Sequence, residues 1–514
     1  MKNVFLEETF NFKKTIILDI ANNHFGEVKH GIDIVNKFSK LNYPKDFTIY
    51  FKLQYRNLET FIHPLSPKDS HYIKRFNSTK LNKKELLEIA NCIKELNDPK
   101  FRLMITPFDE DSVEWATDSK VDIIKIASCS ANDWPLLEKA SNSNIPIVAS
   151  TGGLSINSID NLVSFFRHRA VDFSLMHCIS VYPTKPEDCN LSFINTLKKR
   201  YPDLNIGWST HEPPGDTKLV IAAISSGAEL LERHICLPRE NKPQNAYSST
   251  CSELQAWLDS IEMTFKILGN AEFEERDDEV KSIKSLSRGA YAKEKIKKGS
   301  LIEDSKIFYA FPLLNDNQHT SSSIRFPSTA LRDIKENESL IESINIKSPK
   351  INPNSYLKTA IHEIKAILAI GSIHLNSTFS LELSHHKGPE NFKKIGTTII
   401  NCINREYCKK ILVQLPNQLH PLHYHPKKEE TFQVLHGELE IISDGHKYLL
   451  NEGETLTVLP GVWHCFYSTN GCIFEEVSTT HFNEDSVYKD KTIQSLKREE
   501  RKTVVDHWGR FQME

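Results

Sequence analysis

The sequence predicts an α/β protein in which a (β/α)₈ barrel precedes a small β-rich domain and a C-terminal all-β domain. Three observations support this prediction. The chain has 514 residues, and at about 150 residues per domain we expect two to four domains. Its first half alternates short apolar runs with longer amphipathic stretches. Its last third contains short strand-like runs separated by Gly, Pro and Asn turns.

Eight apolar runs form the predicted barrel over residues 1–275. Each run is rich in Ile, Val and Leu rather than strictly alternating, as expected of parallel strands buried on both faces. Eight β-then-α units predict a closed barrel. A doubly wound open sheet is the alternative, and the absence of a G-x-G-x-x-G motif weakens it. The runs are 15–22, 48–54, 102–108, 121–128, 145–151, 172–178, 204–209 and 228–234.

After a charged linker at 270–285, the sequence pattern becomes typical of short β-strands. Residues 286–348 contain two strand–turn–strand patterns, with turns reading IKKGSLI and IKENESLI. This weak internal duplication predicts a small domain of about 60 residues. Residues 355–490 then predict an antiparallel sandwich or barrel, followed by a charged tail at 491–514. The predicted strands of the third domain are 399–404, 410–415, 430–434, 439–443 and 455–459.

Composition excludes several classes of partner. Lys+Arg is 64 and Asp+Glu is 67, and the net charge of -3 excludes a chain-wide footprint for nucleic acid. No run of 18 apolar residues is present, so we expect no membrane partner. The ten cysteines form no C-x-x-C pair and are expected to be reduced. The N-terminus carries two acidic residues before any long apolar run, which argues against a secretory signal, and we expect a cytoplasmic protein.

Polar residues concentrate at the C-terminal ends of the eight runs, where barrels bind ligands. Lys52 and Lys125 stand within apolar runs, which is costly unless anions pair with them. Either each lysine closes a structural ion pair, or together they form an anion-binding mouth. His211 and His234 end neighbouring runs, where they either bind one divalent ion or make hydrogen bonds. The other strand-end residues are Asp19, Gln54, Thr106, Ser128, Ser150, His177, Ser209 and Glu232.

A set of motifs in residues 15–265 carries a family resemblance. The motifs are, in order, D-I-A-N-N-H, F-K-L-Q, I-T-P-F, K-I-A-S, N-D-W-P-L, A-S-T-G-G, H-C-I-S-V-Y-P-T, G-W-S-T-H and L-E-R-H. This set resembles the N-acetylneuraminate (sialic acid) synthase family, which includes the legionaminic and pseudaminic acid synthases. The stretch I-K-K-G-x-L-I-x-x-S resembles the antifreeze-like SAF domain that follows the barrel in that family. The resemblance therefore implies a SAF domain at 286–348 and a domain-swapped homodimer.

The resemblance also implies a reaction. Phosphoenolpyruvate condenses with an open-chain N-acyl hexosamine or related aldose, giving a nine-carbon 3-deoxy-2-ketoacid and phosphate. His211 and His234 would bind a Mn²⁺ or Mg²⁺ that polarises the sugar aldehyde. The implied catalytic residues are Asp19, Lys52, His211 and Glu232. The implied substrate-binding residues are Lys52, Gln54, Thr106, Lys125, Ser128, Ser150, His177, Tyr182, Ser209 and Asn245.

Five positions depart from the family pattern. Asp19 stands where the family has Glu, and Ser130 stands where another Glu is expected. Thr210 and Asn245 each replace an Asp, and Phe311 replaces the arginine of the SAF Arg-Pro pair. We therefore expect the same chemistry on an acceptor other than N-acetylmannosamine. Loss of activity is the alternative, because Ser130 removes a candidate acid/base group.

The third domain carries a second set of metal-ligand residues. His423, His425, Glu430 and Gly437 fit H-x-H-x₄-E-x₆-G, and His464 ends a P-G-x-x-H motif. An H-x-H pair on a strand directs both rings to one face. These motifs resemble the cupin domain, which implies a second divalent metal ion of unknown identity on the three histidines and the glutamate.

The role of the cupin stays open at this point, since it could bind, isomerise or epimerise a sugar. Two other classes compete with a synthase for the whole chain. One is a catalytically inactive sugar-binding or regulatory protein, and the other is a divalent-metal aldolase or isomerase.

Overall fold

A computed structural model describes residues 10–67, 70–270, 275–324, 328–341, 344–346, 353–375 and 379–505. The chain divides into two compact units, Met1–Glu274 and Glu275–Glu514. Within the described part of the chain, no helix has both the length and the apolar composition that crossing a membrane requires.

The first unit contains a closed barrel of eight parallel strands in sequential order, in which the eighth strand pairs with the first. The predicted fold class is confirmed, and the open-sheet alternative is wrong. Each strand begins close to the start of a predicted run. The strands are β1 Thr15–Asp19, β2 Thr48–Tyr55, β3 Phe101–Pro107, β4 Ile123–Ile126, β5 Ile147–Ser150, β6 Phe173–Cys178, β7 Ile206–Thr210 and β8 Leu230–His234.

Helices connect these strands and cover the outside of the barrel. Local sequence defines their ends: Asn82 and Glu85 form a reciprocal capping box at the start of α4, and Gly269 follows α10 with φ 62°. The helices are α1 Val28–Phe38, α2 Leu58–Phe61, α3 His71–Ser78, α4 Lys83–Lys94, α5 Glu110–Asp118, α6 Trp134–Ser141, α7 Ile156–His168, α8 Ser192–Arg200, α9 Lys218–Ser225 and α10 Cys251–Leu268.

The side chains that point into the barrel change character along each strand. An apolar cluster fills the interior at the N-terminal ends of the strands and includes Ile17, Tyr50 and Leu230. Because side chains alternate with a period of two, the next inward residues on these strands are Asp19, Lys52 and Glu232. This alternation therefore creates a polar layer at the C-terminal end of the barrel interior.

The second unit begins with the helix α11 Asp277–Ser285, which covers most of the predicted linker, and continues with short strands. Its two predicted repeats pair with each other, since Ile296 and Ile334 exchange backbone hydrogen bonds of 2.9 and 2.8 Å. Ala290, Ile302 and Leu340 contribute to a small apolar core. The strands are β9 Gly289–Ala292, β10 Leu301–Ile302, β11 Ile307–Ala310, β12 Ser328–Ala330 and β13 Ile344–Ile346.

The rest of this unit is a helix, α12 Pro353–Ile370, followed by antiparallel strands in a seven-stranded and a five-stranded sheet. This agrees with the all-β domain expected there. The strands are β14 Ser380–Ser384, β15 Thr397–Asn404, β16 Tyr407–Gln414, β17 Gln418–Tyr424, β18 Glu430–Gly437, β19 Leu439–Ser443, β20 His446–Leu450, β21 Thr455–Val458, β22 His464–Ser468, β23 Cys472–Thr479, β24 Val487–Tyr488 and β25 Lys502–Val505.

The predicted charged tail is structured in its described part. It forms α13 Lys491–Gln494, α14 Arg498–Arg501 and β25, and β25 pairs with β14 at the edge of the larger sheet. Its charges pair with the sheet, because Lys502 Nζ lies 3.0 Å from Glu382 Oε2. Residues 506–514 of the predicted tail lie outside the described residues.

Candidate active site and metal centre

Four buried charges form a chain across the C-terminal end of the barrel. Lys52 Nζ lies 3.0 Å from Asp19 Oδ2 and donates a hydrogen bond of 2.9 Å to Glu232 Oε1. Lys125 Nζ lies 3.1 Å from Glu232 Oε2 and donates to Ser150 Oγ at 2.7 Å. All four charges come from strands, so the closed barrel brings together residues that are more than 200 positions apart in the sequence.

The electrostatic interactions among these four side chains favour their ionised forms. Burial alone would lower the pKa of Lys52, but Asp19 and Glu232 outweigh it and raise that pKa. Burial likewise opposes ionisation of Glu232, yet Lys125 and Lys52 hold its pKa below the usual value. Burial lowers the pKa of Lys125 despite the attraction of Glu232. The formal charges of two lysines and two carboxylates cancel, so the lysines do close buried ion pairs while lining the mouth.

His211 and His234 lie side by side, with ring centroids 5.3 Å apart. His211 Nδ1 donates to the carbonyl oxygen of Ile179 at 3.0 Å, which leaves its Nε2 unprotonated. Burial lowers the pKa of His211 to about 3, so the ring is neutral near pH 7. His234 Nδ1 lies 3.4 Å from Asp19 Oδ2.

A divalent ion bound at this pair of imidazoles would therefore need further ligands. Among the described residues, the one group of three or more side chains arranged to hold a metal ion lies in the second unit. At the barrel pair, water and substrate oxygens would have to complete the coordination shell.

A cavity of about 570 Å³ opens above this polar layer. All the barrel residues predicted to act at the site line it, except His177 and Asn245. His177 points outward, between strand and helices, because Met176 and Cys178 take the inward positions of β6. Its Nε2 donates to Cys189 O at 2.9 Å. Asn245 instead accepts from the backbone nitrogen of Ser248 at 2.8 Å and organises its loop.

Sequence reasoning missed several residues that line the same cavity. Arg56 and Arg75 supply cations there, and Tyr247, Phe76 and Phe108 supply aromatic rings. Arg56 had a recognisable pattern, since K-x-Q-x-R continues the alternation of Lys52 and Gln54 to the residue that follows the end of β2. Arg75 lies on α3, a helix that crosses the mouth and whose position the sequence does not indicate.

Three departures from the family pattern have a structural context. Arg233 Nη1 pairs with Glu212 Oε1 at 2.5 Å and donates to Thr210 Oγ1 at 2.9 Å. The family pattern has an aspartate at the position of Thr210. Glu212 thus supplies a carboxylate two residues after that position. Ser130 lies in a 3₁₀ turn outside the cavity lining, and Phe311 is 62% exposed.

The second unit brings His423, His425, Glu430 and His464 together, as the sequence predicts. Their candidate ligand atoms all lie within 4.8 Å of one another, and all four side chains are buried. The five-stranded sheet contributes His423 and His464, which are paired across β17 and β22. The seven-stranded sheet contributes Glu430. The centre therefore lies between the two sheets.

Each imidazole is oriented by a backbone carbonyl. The Nδ1 atoms of His423, His425 and His464 donate to Pro421 O, Asp485 O and Val462 O at 3.0, 2.9 and 3.0 Å. This tautomer leaves every Nε2 lone pair free for a metal ion. His464 Nε2 lies 3.1 Å from Glu430 Oε2, and His425 Nε2 lies 3.4 Å from Glu430 Oε1. A divalent ion fits this donor set, with positions left for a ligand.

Two buried lysines lie next to Glu430, a member of this centre, and to the neighbouring Glu476. Lys428 contacts Glu430 and also lies 3.0 Å from Glu476 Oε1. Lys410 Nζ lies 2.9 Å from the same Glu476 oxygen. Burial opposes the charge of Glu430, but Lys428 and His425 outweigh it and lower its pKa well below the usual value. Glu430 is therefore ionised and ready to act as a ligand.

Acid should destabilise the barrel through His24, in the first motif. His24 Nδ1 accepts from Gly26 N at 3.1 Å, and burial lowers its pKa to about 4. Below pH 6.5, the unfolded chain therefore binds more protons at His24 than the folded chain does. The stability that His24 contributes above pH 6.5 is lost as the pH falls toward about 4. We expect a contribution of about 1.4 kcal/mol per pH unit. Unfolding curves of wild type and His24→Gln between pH 7 and 5 measure it, and identical slopes would contradict it.

The fold and the site together define a class. A closed (β/α)₈ barrel carries a buried lysine–carboxylate chain and two histidines at its C-terminal end, the end at which barrels of this kind bind their ligands. The chain belongs to the NeuB family, whose model matches residues 28–273, and the Cupin domain model matches residues 411–472. The third domain is thus a cupin domain.

Three relatives illustrate the relationship. An uncharacterized protein from Methanocaldococcus jannaschii is 30% identical over 302 residues, which are 58% of this chain and 84% of the relative. N-acetylneuraminate-9-phosphate synthase from Drosophila melanogaster is 38% identical over 164 residues, 31% of this chain and 42% of that enzyme. The crystal structure described as a spore coat polysaccharide biosynthesis protein E from Chromobacterium violaceum is 35% identical, with a TM-score of 0.60. That match covers 65% of this chain and 100% of the other.

Proposed function

We propose that the barrel condenses phosphoenolpyruvate with an open-chain N-acyl hexosamine or related aldose. The product is a nine-carbon 3-deoxy-2-ketoacid, and phosphate is released by cleavage of the C–O bond. The observation that carries this proposal is the chain from Asp19 through Lys52 and Glu232 to Lys125 at the floor of the barrel cavity. Membership of a family whose relatives include N-acetylneuraminate-9-phosphate synthases supports it.

Hydroxyl and ammonium donors at the floor suit the two anionic groups of phosphoenolpyruvate. Thr106 Oγ1 is buried in the cavity wall and has no hydrogen-bond partner among the described residues. Lys125, Ser150 and Ser209 lie on the following strands and line the same floor. An arriving phosphate or carboxylate would accept a hydrogen bond from the Thr106 hydroxyl, which is favourable because an unpaired buried polar group is costly.

The carboxylates suit the charge that develops during the reaction. C3 of the enol attacks the aldehyde carbon, positive charge develops at C2, water adds there, and phosphate leaves. Asp19 and Glu232 are ionised and fixed, so they stabilise this charge without reorganising and are candidates to take the proton from the water. A Mn²⁺ or Mg²⁺ held by His211 and His234 would polarise the aldehyde.

The cupin is proposed to bind a divalent ion and a sugar or sugar derivative. Support comes from the four convergent ligands and from the lysines beside them. We also assign the small β region at 286–348 to a SAF domain that acts within a homodimer. The reciprocal pairing of its two repeats is compatible with that assignment.

Phosphate release from phosphoenolpyruvate tests the proposed function. With Mn²⁺ and a panel of N-acyl hexosamines, we expect release that requires an acceptor. His211→Ala should lower kcat/KM by about 100-fold or more while leaving the circular dichroism spectrum unchanged. The exposed His168→Ala on α7 is the matched control and should retain activity. Phosphate accompanied only by pyruvate would sink the proposal, and an aldolase would use pyruvate and release no phosphate.

A further inference from the structure

Arg56 is fixed by its neighbours, while most of its N–H donors make no hydrogen bond to a described residue. Its guanidinium carbon lies 3.6 Å from the ring centroid of Phe108 and 4.6 Å from that of Phe76. Nη2 donates to Gln54 Oε1 at 3.0 Å, while the buried Nε makes no hydrogen bond with any described residue. Two rings and one hydrogen bond therefore fix the plane of the group, which preorganises its free edge for a bidentate partner.

Arg56 also differs from the fully buried cations of the barrel. Lys52, Lys125 and Arg233 each have a carboxylate oxygen between 2.5 and 3.1 Å away. No carboxylate of a described residue forms an ion pair with Arg56. Burial lowers the pKa of Arg56 to about 10, and Arg75 contributes in the same direction, while Cys129 and Asp19 oppose the shift in part. A partly buried guanidinium without a counter-ion is costly, and a bound anion would remove that cost.

The position of Arg56 indicates which reactant would carry the anion. Lys52, Gln54 and Arg56 follow one another at alternate positions of β2 and its C-terminal extension. At about 3.3 Å per residue, Arg56 lies about 13 Å further along the strand direction than Lys52. Arg75 lines the same cavity, where its Nη2 donates to Tyr247 OH at 3.5 Å. These two cations therefore lie toward the mouth, beyond the donors assigned to phosphoenolpyruvate.

We infer that Arg56, assisted by Arg75, binds a phosphate or carboxylate carried by the acceptor sugar at the end remote from its aldehyde. This inference rests on the proposed function, because the aldehyde must lie at the floor beside the enol. It assigns the barrel an anionic acceptor, and it makes Arg56 a specificity-determining residue.

Calorimetric titration of the full chain, without turnover, tests the inference independently of catalysis. The probes are N-acetylmannosamine, its 6-phosphate and the corresponding uronic acid. We expect at least one anionic probe to bind about tenfold or more tightly than the neutral sugar. Arg56→Gln should abolish that preference, and Arg56→Lys should retain part of it. Arg102→Gln, on an exposed arginine paired with Asp122, is the control and should match wild type.

The outcomes separate the inference from the proposed function. Equal affinity for neutral and anionic probes would overturn the inference, as would a KM for phosphoenolpyruvate that rises in Arg56→Gln as much as the KM for the acceptor. An anionic preference that depends on Arg56 supports it even if no acceptor yields phosphate, in which case only the proposed function fails. Comparing the 6-phosphate with the uronic acid identifies which anion the site prefers.

Discussion

Glu232→Gln is expected to cause the largest loss of activity of any single isosteric change in the barrel. Glu232 accepts from Lys52 at 2.9 Å and from Ser209 at 3.0 Å, and it is the carboxylate partner of Lys125 at 3.1 Å. An amide would leave Lys125 without a buried counter-charge and would turn donors toward the ammonium groups. We expect kcat/KM for condensation to fall by about 100-fold or more. We also expect the free energy of unfolding to fall by about 3–5 kcal/mol.

A matched control separates these effects from a general loss of charge. Glu229→Gln changes the residue just before the same strand, at the opposite end of the barrel, where Lys198 lies 3.6 Å away. This pair is partly exposed, so the change should cost less than about 1 kcal/mol and leave condensation intact. Denaturant unfolding and phosphate release measure both variants. Wild-type activity in Glu232→Gln would contradict the role of the buried chain.

Lys52→Ala is a poor test of the catalytic role of Lys52. Removing that side chain would leave Asp19 and Glu232 buried without their shared cation, which is strongly destabilising. Loss of activity in Lys52→Ala would therefore mix catalysis with unfolding. His211 is the better choice, because its ring is neutral and, among the described residues, its side chain makes a hydrogen bond only to the carbonyl oxygen of Ile179, so its loss leaves no buried charge unpaired.

The second large effect concerns metal binding by the cupin. His423→Ala removes one of four convergent ligands, and we expect the affinity for a divalent ion to fall by about 100-fold or more. Metal content after gel filtration should drop by about one ion per chain relative to wild type. Condensation by the barrel should be unchanged, because its candidate residues all lie in the first unit.

The control here is His446→Ala, an exposed histidine at the start of β20. It should keep the wild-type metal content by elemental analysis. Equal metal content in His423→Ala and wild type would show that the quartet is not the metal centre. A loss of condensation in His423→Ala, with the fold intact, would show instead that the two activities are coupled.

The sequence predicts the barrel well because strand ends and inward positions follow a simple period. Once Ile17, Tyr50 and Leu230 are assigned to the interior, the residues two positions later must face the cavity. His177 shows the limit of reading strand ends without that parity. It is polar and lies near the end of β6, yet it points away from the cavity and Cys178 takes its place.

Other features depend on contacts between distant segments. Arg75 reaches the cavity because α3 crosses the mouth, and Glu212 becomes the partner of Arg233 because the loop after β7 turns back on β8. In the cupin, local motifs predict the ligands, whereas the pairing of Lys410 and Lys428 with Glu476 requires the strand order. Such pairs are set by tertiary structure, and no short motif encodes them.

Mass spectrometry of the product tests the central claim most directly. The full chain is supplied with Mn²⁺, a mixture of candidate amino sugars with and without 6-phosphate, and phosphoenolpyruvate labelled with ¹⁸O in its C–O–P bridge. We predict a new ketoacid whose mass equals acceptor plus phosphoenolpyruvate plus water minus phosphoric acid, together with phosphate that retains the label. Unlabelled phosphate with pyruvate, and no new ketoacid from any acceptor, would contradict the account.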